Sequence, residues 1–461
     1  ACSVVAVVSF AGTALLYARR YLRTPGTADF TTDIFLSARR TQPSIRIAWS
    51  FFAGTMGAWA VATPASLVAT TGILGLVSYA VSSGIPPIML AFVGDKVQAL
   101  LPRPLSLSDF VLWRYGRAAQ VLVTSIVFIN CAFGLVSEYS TMGSIFRAFV
   151  KSVPHPMVVL IGAAAITYSA YGGLLISIIT DQLQGVFAAV LMATLAIYLG
   201  VSFPRGAELP PFPYDSLGVT AAGYSTLFTL PVSMVASSFF SEAMWQRVWA
   251  AESRAALRSG SVLAALLIVI SIGFLGLTGL LSTWAYAPVI DPNGPTANLL
   301  TFYVLGDRQY SWLGIVAVSA VDSGMNALTV ILSANFFRSR SLSFTRYLVI
   351  SMNVPIMLAG TFGLPVLNLF LTTNLLTTGG FLPLVSGLLD PSRDWISGYA
   401  MVFATATGAV ALTVYGAVAA PIDWASNTVL DGIVWAWWSN QYDYRAFLVP
   451  LLASVAALVA W

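Results

Sequence analysis

The chain has 461 residues, of which 58% are hydrophobic and only 9% are Asp, Glu, Lys or Arg, against about 25% charge in an ordinary soluble domain. With a mean hydropathy of +0.83 it cannot cover a water-facing surface, so most of its outer surface faces lipid. Disorder, a collagen-like repeat and a disulfide scaffold are excluded by the same figures, and two cysteines with one histidine make a poor ligand set for zinc or haem.

The expected fold is an all-α polytopic membrane protein forming a single transmembrane domain over 1–461. Crossing about 30 Å of hydrocarbon takes roughly 20 helical residues, and thirteen segments meet that length, at 2–18, 47–71, 73–100, 118–147, 155–175, 178–203, 223–246, 260–287, 311–336, 346–362, 364–389, 395–419 and 446–461. The first could pass for a signal peptide, but Arg19 and Arg20 follow it without a small-residue cleavage site, which is a stop-transfer pattern. A chain that opens on Ala1 and closes inside an apolar run at Trp461 is expected to be trimmed from a longer one.

Alternation of the thirteen spans puts seventeen of the 22 Lys and Arg residues on one side and five on the other. The positive-inside rule makes the rich side cytoplasmic and the N-terminus external. The net charge of +4 is therefore a topological signal, and no nucleic-acid partner is expected. An external stretch near the C-terminus holds Trp424, Trp435, Trp437 and Trp438. It reads equally well as a helix lying in the headgroup region and as a protein contact.

Two spans are interrupted: the second by Gly54, Gly57 and Pro64, and the seventh by Pro231 and the Ser-rich run VSMVASSFFS. They lie five spans apart. Transporters with inverted repeats bind solute where paired broken helices expose backbone groups near the midplane, although Gly and Pro are common in membrane helices in any case.

Few acids lie within the spans, and each carries a cost of at least about 2.5 kcal/mol at membrane depth. Glu242 lies five residues before Arg247 near a cytoplasmic helix end and reads as an interfacial or ion-paired group. Ser319, Asp322, Ser323 and Asn326 follow i, i+3, i+4, i+7 spacing on one helix face, which suits either a hard cation or plain helix packing. Asp181 opens its helix, where the dipole alone would favour it. Glu138 could pair with a solute ammonium, shuttle a proton or hydrogen-bond to a neighbour.

Five strings in order, DIFLSARR at 33–40, SLSDFVLWRYG at 106–116, TYSAYGGLLISIITDQLQ at 167–184, MWQRVWAAES at 244–253 and SAVDSGMNALT at 319–329, resemble motifs of the sodium/solute symporter family. The resemblance runs from about residue 29 to about 390. It implies a leucine-transporter-like fold: a five-plus-five inverted-repeat core with discontinuous helices, 47–203 and 223–389 being the two repeats and 395–461 peripheral. It also implies a sodium ion held by the carbonyls of Ala53, Met56 and Val316 and the hydroxyl of Ser319, with a second cation position at Asp181, Ser319, Asp322 and Ser323. Ala320 stands where the family carries a further hydroxyl, and two nearby carboxylates can share a proton as well as a cation. Sodium is the expected coupling ion and a proton the alternative, with no cofactor.

The function implied is secondary active symport of a small polar solute by alternating access, in the plasma membrane, with the lipid bilayer as the other partner. Thr55, Trp59, Ser237 and Ser238 are the substrate-side candidates because of their place on the broken helices, with Glu138 as a further candidate for a cationic headgroup. Sugar is disfavoured, while an amino acid, urea or polyamine-like solute remains open. A sensor portion of a longer signalling protein is the competing reading. No nucleophile and base recur as a set, so no enzyme is expected.

Overall fold

In a computed structural model the chain is described at residues 12, 40–101, 106–150, 153–204, 209–286, 297–304, 342–389, 395–419 and 428–461. The described part is a bundle of helices. Five of them are long and apolar enough to cross a membrane, and two bent pairs raise that figure to seven. The first and ninth predicted spans, 2–18 and 311–336, lie outside the described residues.

α1 (Ser44–Thr55) and α2 (Ala58–Leu100) form the interrupted second span and the third span together. α2 is not one straight rod. Gly72 has φ +68° and ψ −157°, and the Thr63 and Tyr79 hydroxyls, sixteen residues apart, lie 2.9 Å from each other. A straight helix would separate them by about 24 Å, so 58–71 and 73–100 are antiparallel limbs of a hairpin. That turn falls where the sequence places the boundary between its second and third spans. Gly72 is needed there because its φ is one that only glycine adopts freely, and a Cβ would lie 2.5 Å from the Gly218 carbonyl oxygen.

α3 (Leu107–Tyr115) occupies the string expected to be a loop. Its Arg114 is buried, donating to the carbonyls of Gly387 and Ile396, and the Tyr115 hydroxyl reaches the carbonyls of Pro383 and Leu384. The last carbonyls of a helix have no partner within it. A polar motif is therefore held inside the protein because it finishes another helix.

α4 (Arg117–Val150) and α5 (His155–Ser202) follow. The sequence places a boundary at 176–177, and the backbone of α5 is helical on both sides of it. After a single turn, α6 (Tyr214–Leu217), the seventh span is built from α7 (Ala221–Phe239) and α8 (Glu242–Ala250), bent by 66°. α9 (Arg254–Tyr286) packs along both α2 and α1, and a short α10 (Leu300–Tyr303) packs against α2. α11 (Leu342–Gly360), α12 (Val366–Ser386) and α13 (Gly398–Ala419) complete the described spans up to the C-terminal pair.

That pair is α14 (Val429–Val434), continued by a π turn at Trp435–Ser439, and α15 (Tyr444–Ala460), at 94° to each other. Trp435 is buried and packs near Tyr415, and the Trp437 indole donates to Thr413 at 3.1 Å. The tryptophan-rich segment therefore makes protein contacts; Trp424 lies outside the described residues.

Connections gather at two ends as the alternation of spans requires. Gln42 pairs with Ala251 and Gln98 donates to the Val248 carbonyl at one end, whereas Ile73 and Thr220 bond across to Gly218 and Thr71 at the other. Gly72→Ala is expected to destabilise the folded protein by more than about 1 kcal/mol, since alanine is strained at positive φ. A lowered midpoint in thermal unfolding of the purified protein checks it.

Candidate functional site

Two helices stop inside the bundle, and each break leaves backbone groups without partners in their own helix. At the first, Met56 leaves helical geometry with ψ +44° and Gly57 is extended before α2 begins at Ala58. Glu138, from α4, accepts a hydrogen bond from the Ala58 amide at 2.7 Å. Its carboxyl thus sits on the N-terminal end of a half-helix, where unpaired N–H groups and the helix dipole both favour an acid. Gly57 makes the approach possible, because a Cβ on it would overlap Glu138 Oε1.

At the second break α7 ends at Phe239, and Ser241 is extended before α8. The exposed carbonyls are met by side chains. Asn130 Nδ2 donates to Ser237 at 3.1 Å and to Phe240 at 3.2 Å, and Trp245 Nε1 donates to Phe239 at 2.7 Å. Of the two expected marks of the interruption, Pro231 lies within α7, and the break falls at the end of the Ser-rich run, at Phe240 and Ser241. Proline removes one amide that a membrane helix can do without, whereas the break comes where Asn130 and Trp245 replace several bonds.

Between the breaks lies a cavity of about 180 Å³. Thr55, Trp59, Glu138, Ser237 and Ser238, the five candidates drawn from sequence, all line it. Asn130, Tyr79, Phe370, Asn374 and Glu242 line it as well, and the sequence reading did not assign them to a site. Trp59 and Phe370 pack at 5.1 Å between ring centroids. No Arg, Lys or His is among the cavity's described lining residues.

Glu242 requires a correction. Its expected pairing with Arg247 is absent: the Arg247 guanidinium donates to the Ser50 carbonyl and hydroxyl and to the Ala243 carbonyl. Only 2% of Glu242 is exposed, Oε2 accepts from the Leu107 amide at 3.2 Å, and Oε1 has no partner among the described residues. Asn130 and Asn374 could have been found from sequence by treating an amide in an apolar helix as the carboxylates were treated.

The expected cation residues are not brought together within the described residues. Ala53 and Met56 stand at the first break, the Met56 amide donating to the Ala53 carbonyl at 3.1 Å. Asp181 belongs to α5, one turn before Gly185, which packs on Trp49 of α1, but its side chain lies outside the described residues. Val316, Ser319, Asp322 and Ser323 lie outside them altogether. Among the described residues no three His, Cys, Asp or Glu side chains cluster as a metal site would require.

No family model matches the chain. A spermidine transporter of Candida albicans is 23% identical over 443 residues, covering 92% of this chain and 83% of its own. Among solved structures, a Na+-coupled sialic acid symporter in a substrate-bound outward-open state covers 100% of this chain and 98% of its own, with a TM-score of 0.70 at 13% identity. A nucleobase-cation-symport-1 family transporter, Mhp1, with bromovinylhydantoin bound, covers 95% and 96% with a TM-score of 0.59 at 13% identity. The chain is an integral membrane transporter with the leucine-transporter-like fold. This is the fold implied by its resemblance to the sodium/solute symporters.

Gly57→Ala is expected to push Glu138 off the Ala58 amide and weaken solute binding at least about tenfold, or about 1.4 kcal/mol. Equilibrium binding on purified protein of unchanged thermal stability reads this directly.

Proposed function

We propose that the chain is a cation-coupled symporter for a small organic cation of the polyamine type, working by alternating access around the cavity between the two broken helices. One observation carries the reading: the cavity combines two carboxylates, Glu138 and Glu242, with the rings of Trp59, Phe370 and Tyr79, and the described lining is free of basic side chains. Carboxylates and aromatic faces both attract an ammonium group. A carboxylate-bearing solute such as an amino acid would meet repulsion from them with no basic side chain in the described lining to offset it. The similarity to a spermidine transporter supports the same class of solute.

Sodium is proposed as the coupling ion, supported by the carbonyl-bearing break at Ala53 and Met56 and by the likeness to a Na+-coupled symporter. In this reading the carbonyls of Ala53, Met56 and Val316 and the Ser319 hydroxyl hold one ion, with Asp181, Asp322 and Ser323 close to it. Ala320, which removes an oxygen while two acids remain, favours a proton as the second reading. The breaks at 56–57 and 240–241 support 47–203 and 223–389 as inverted repeats. The Arg asymmetry supports a plasma-membrane orientation with an external N-terminus and cytoplasmic Arg-rich loops.

Uptake into reconstituted vesicles, with sodium and proton gradients imposed separately across a solute panel, tests the reading. Saturable polyamine uptake driven by inward sodium is expected; uptake that ignores sodium and follows pH would make the proton the coupling ion. Asp181→Asn and Ser319→Ala are each expected to weaken the dependence on the coupling cation severalfold while leaving folding intact, which a sodium titration of uptake measures. Unchanged dependence in both removes these residues from the coupling site.

A further inference from the structure

We infer that Glu242 is a second ammonium subsite of the cavity, so that the protein selects solutes carrying two cationic nitrogens at a fixed separation, one at Glu138 and the other at Glu242. The inference rests on the organic-cation reading above and goes beyond it by assigning the residue that distinguishes a diamine from a monoamine.

Three observations support it. First, Glu242 lines the same cavity as Glu138 but belongs to the other broken helix, so the two acids approach the space from α4 and α8. Second, the two acids differ in what holds them. Glu138 lies on the amide end of the 58–71 half-helix, and Glu242 is anchored by one oxygen to the Leu107 amide, leaving Oε1 buried without a partner. A buried carboxylate oxygen without a partner is costly, and an ammonium with several N–H donors is the kind of group that satisfies it. Position at the start of α8 would by itself explain an acid. It does not explain a buried oxygen with nothing bonded to it on a residue of the cavity wall.

Third, the neighbouring charges do not neutralise Glu242. Arg247 is directed to Ser50 and Ala243, and Asp109, in the first turn of α3, adds a like charge to the field around Glu242. A solute held only at Glu138 would leave Glu242 without its counter-charge.

The test uses the purified full chain and calorimetric titration with unbranched α,ω-diamines of three to eight carbons, each compared with the monoamine of equal length. Wild type is expected to bind one diamine length at least about tenfold more tightly than its monoamine. Glu242→Gln keeps a carbonyl to accept from the Leu107 amide but loses the charge. It is expected to abolish the diamine preference and the optimum of length.

A Glu242→Gln protein that keeps the diamine preference would overturn the subsite and leave the organic-cation reading standing, as would one that keeps it and loses only sodium dependence. If the variant does not fold, the wild-type series decides: affinity without an optimum of length, or equal for diamines and monoamines, overturns the inference. Wild type that binds no amine but transports a neutral solute such as urea overturns the solute class and this inference with it.

Discussion

Every backbone N–H and C=O inside hydrocarbon must find a partner within the protein, and the arrangement of this molecule follows from that constraint. Unbroken helices meet it by themselves. Where α1 stops at Thr55 and α7 at Phe239, the amides and carbonyls set free have to be met by other elements, and the groups that do so are Glu138, Asn130 and Trp245. The positions of α4 and α8 are set by this need as much as by apolar packing. Arg114 and Tyr115 do the same for the end of α12. Each of these buried polar side chains meets the end of another helix.

The same constraint explains why the cavity has its chemistry. A helix broken within the membrane is tolerated only where it lines a cavity or is buried in protein, and the side chains that cap the breaks necessarily point toward the space the breaks create. Glu138 and Asn130 are at once structural caps and cavity walls. Glu242 goes further, because only one of its oxygens is engaged by the fold. Aromatic rings close the remainder, with Trp59 against Phe370. A space of this composition is complementary to a small flexible cation and poorly matched to an anion.

Much of this was legible in the chain itself. The turn at 71–73 and the presence of a break near Gly57 follow from hydropathy and glycine, because both depend on local backbone energetics. The failures also have local causes. The interruption of the seventh span falls at the end of its Ser-rich run and not at Pro231, because a proline costs one bond whereas a true break needs replacement partners for several, and those come from α4 and α8. Glu242 was matched with Arg247 because the two are close in sequence. Both stand on α8, but five residues at about 100° each put them on different sides of that helix. SLSDFVLWRYG falls in a connection between predicted spans, and it folds as a buried helix whose Arg114 and Tyr115 complete α12.

By itself, then, the sequence determined that the chain lives in lipid, where most of its spans fall, which connections share a side and which two helices are interrupted. These follow from composition and one-dimensional pattern, and hydrocarbon enforces both strictly. The tertiary structure alone decided which side chains meet at the breaks, because contacts such as Glu138 with Ala58, Asn130 with Ser237 and Glu242 with Leu107 join residues 80 or more positions apart. Separations of that kind leave no periodic trace. They arise only when helices pack, and it is at those contacts that an apolar chain acquires a cavity with polar walls.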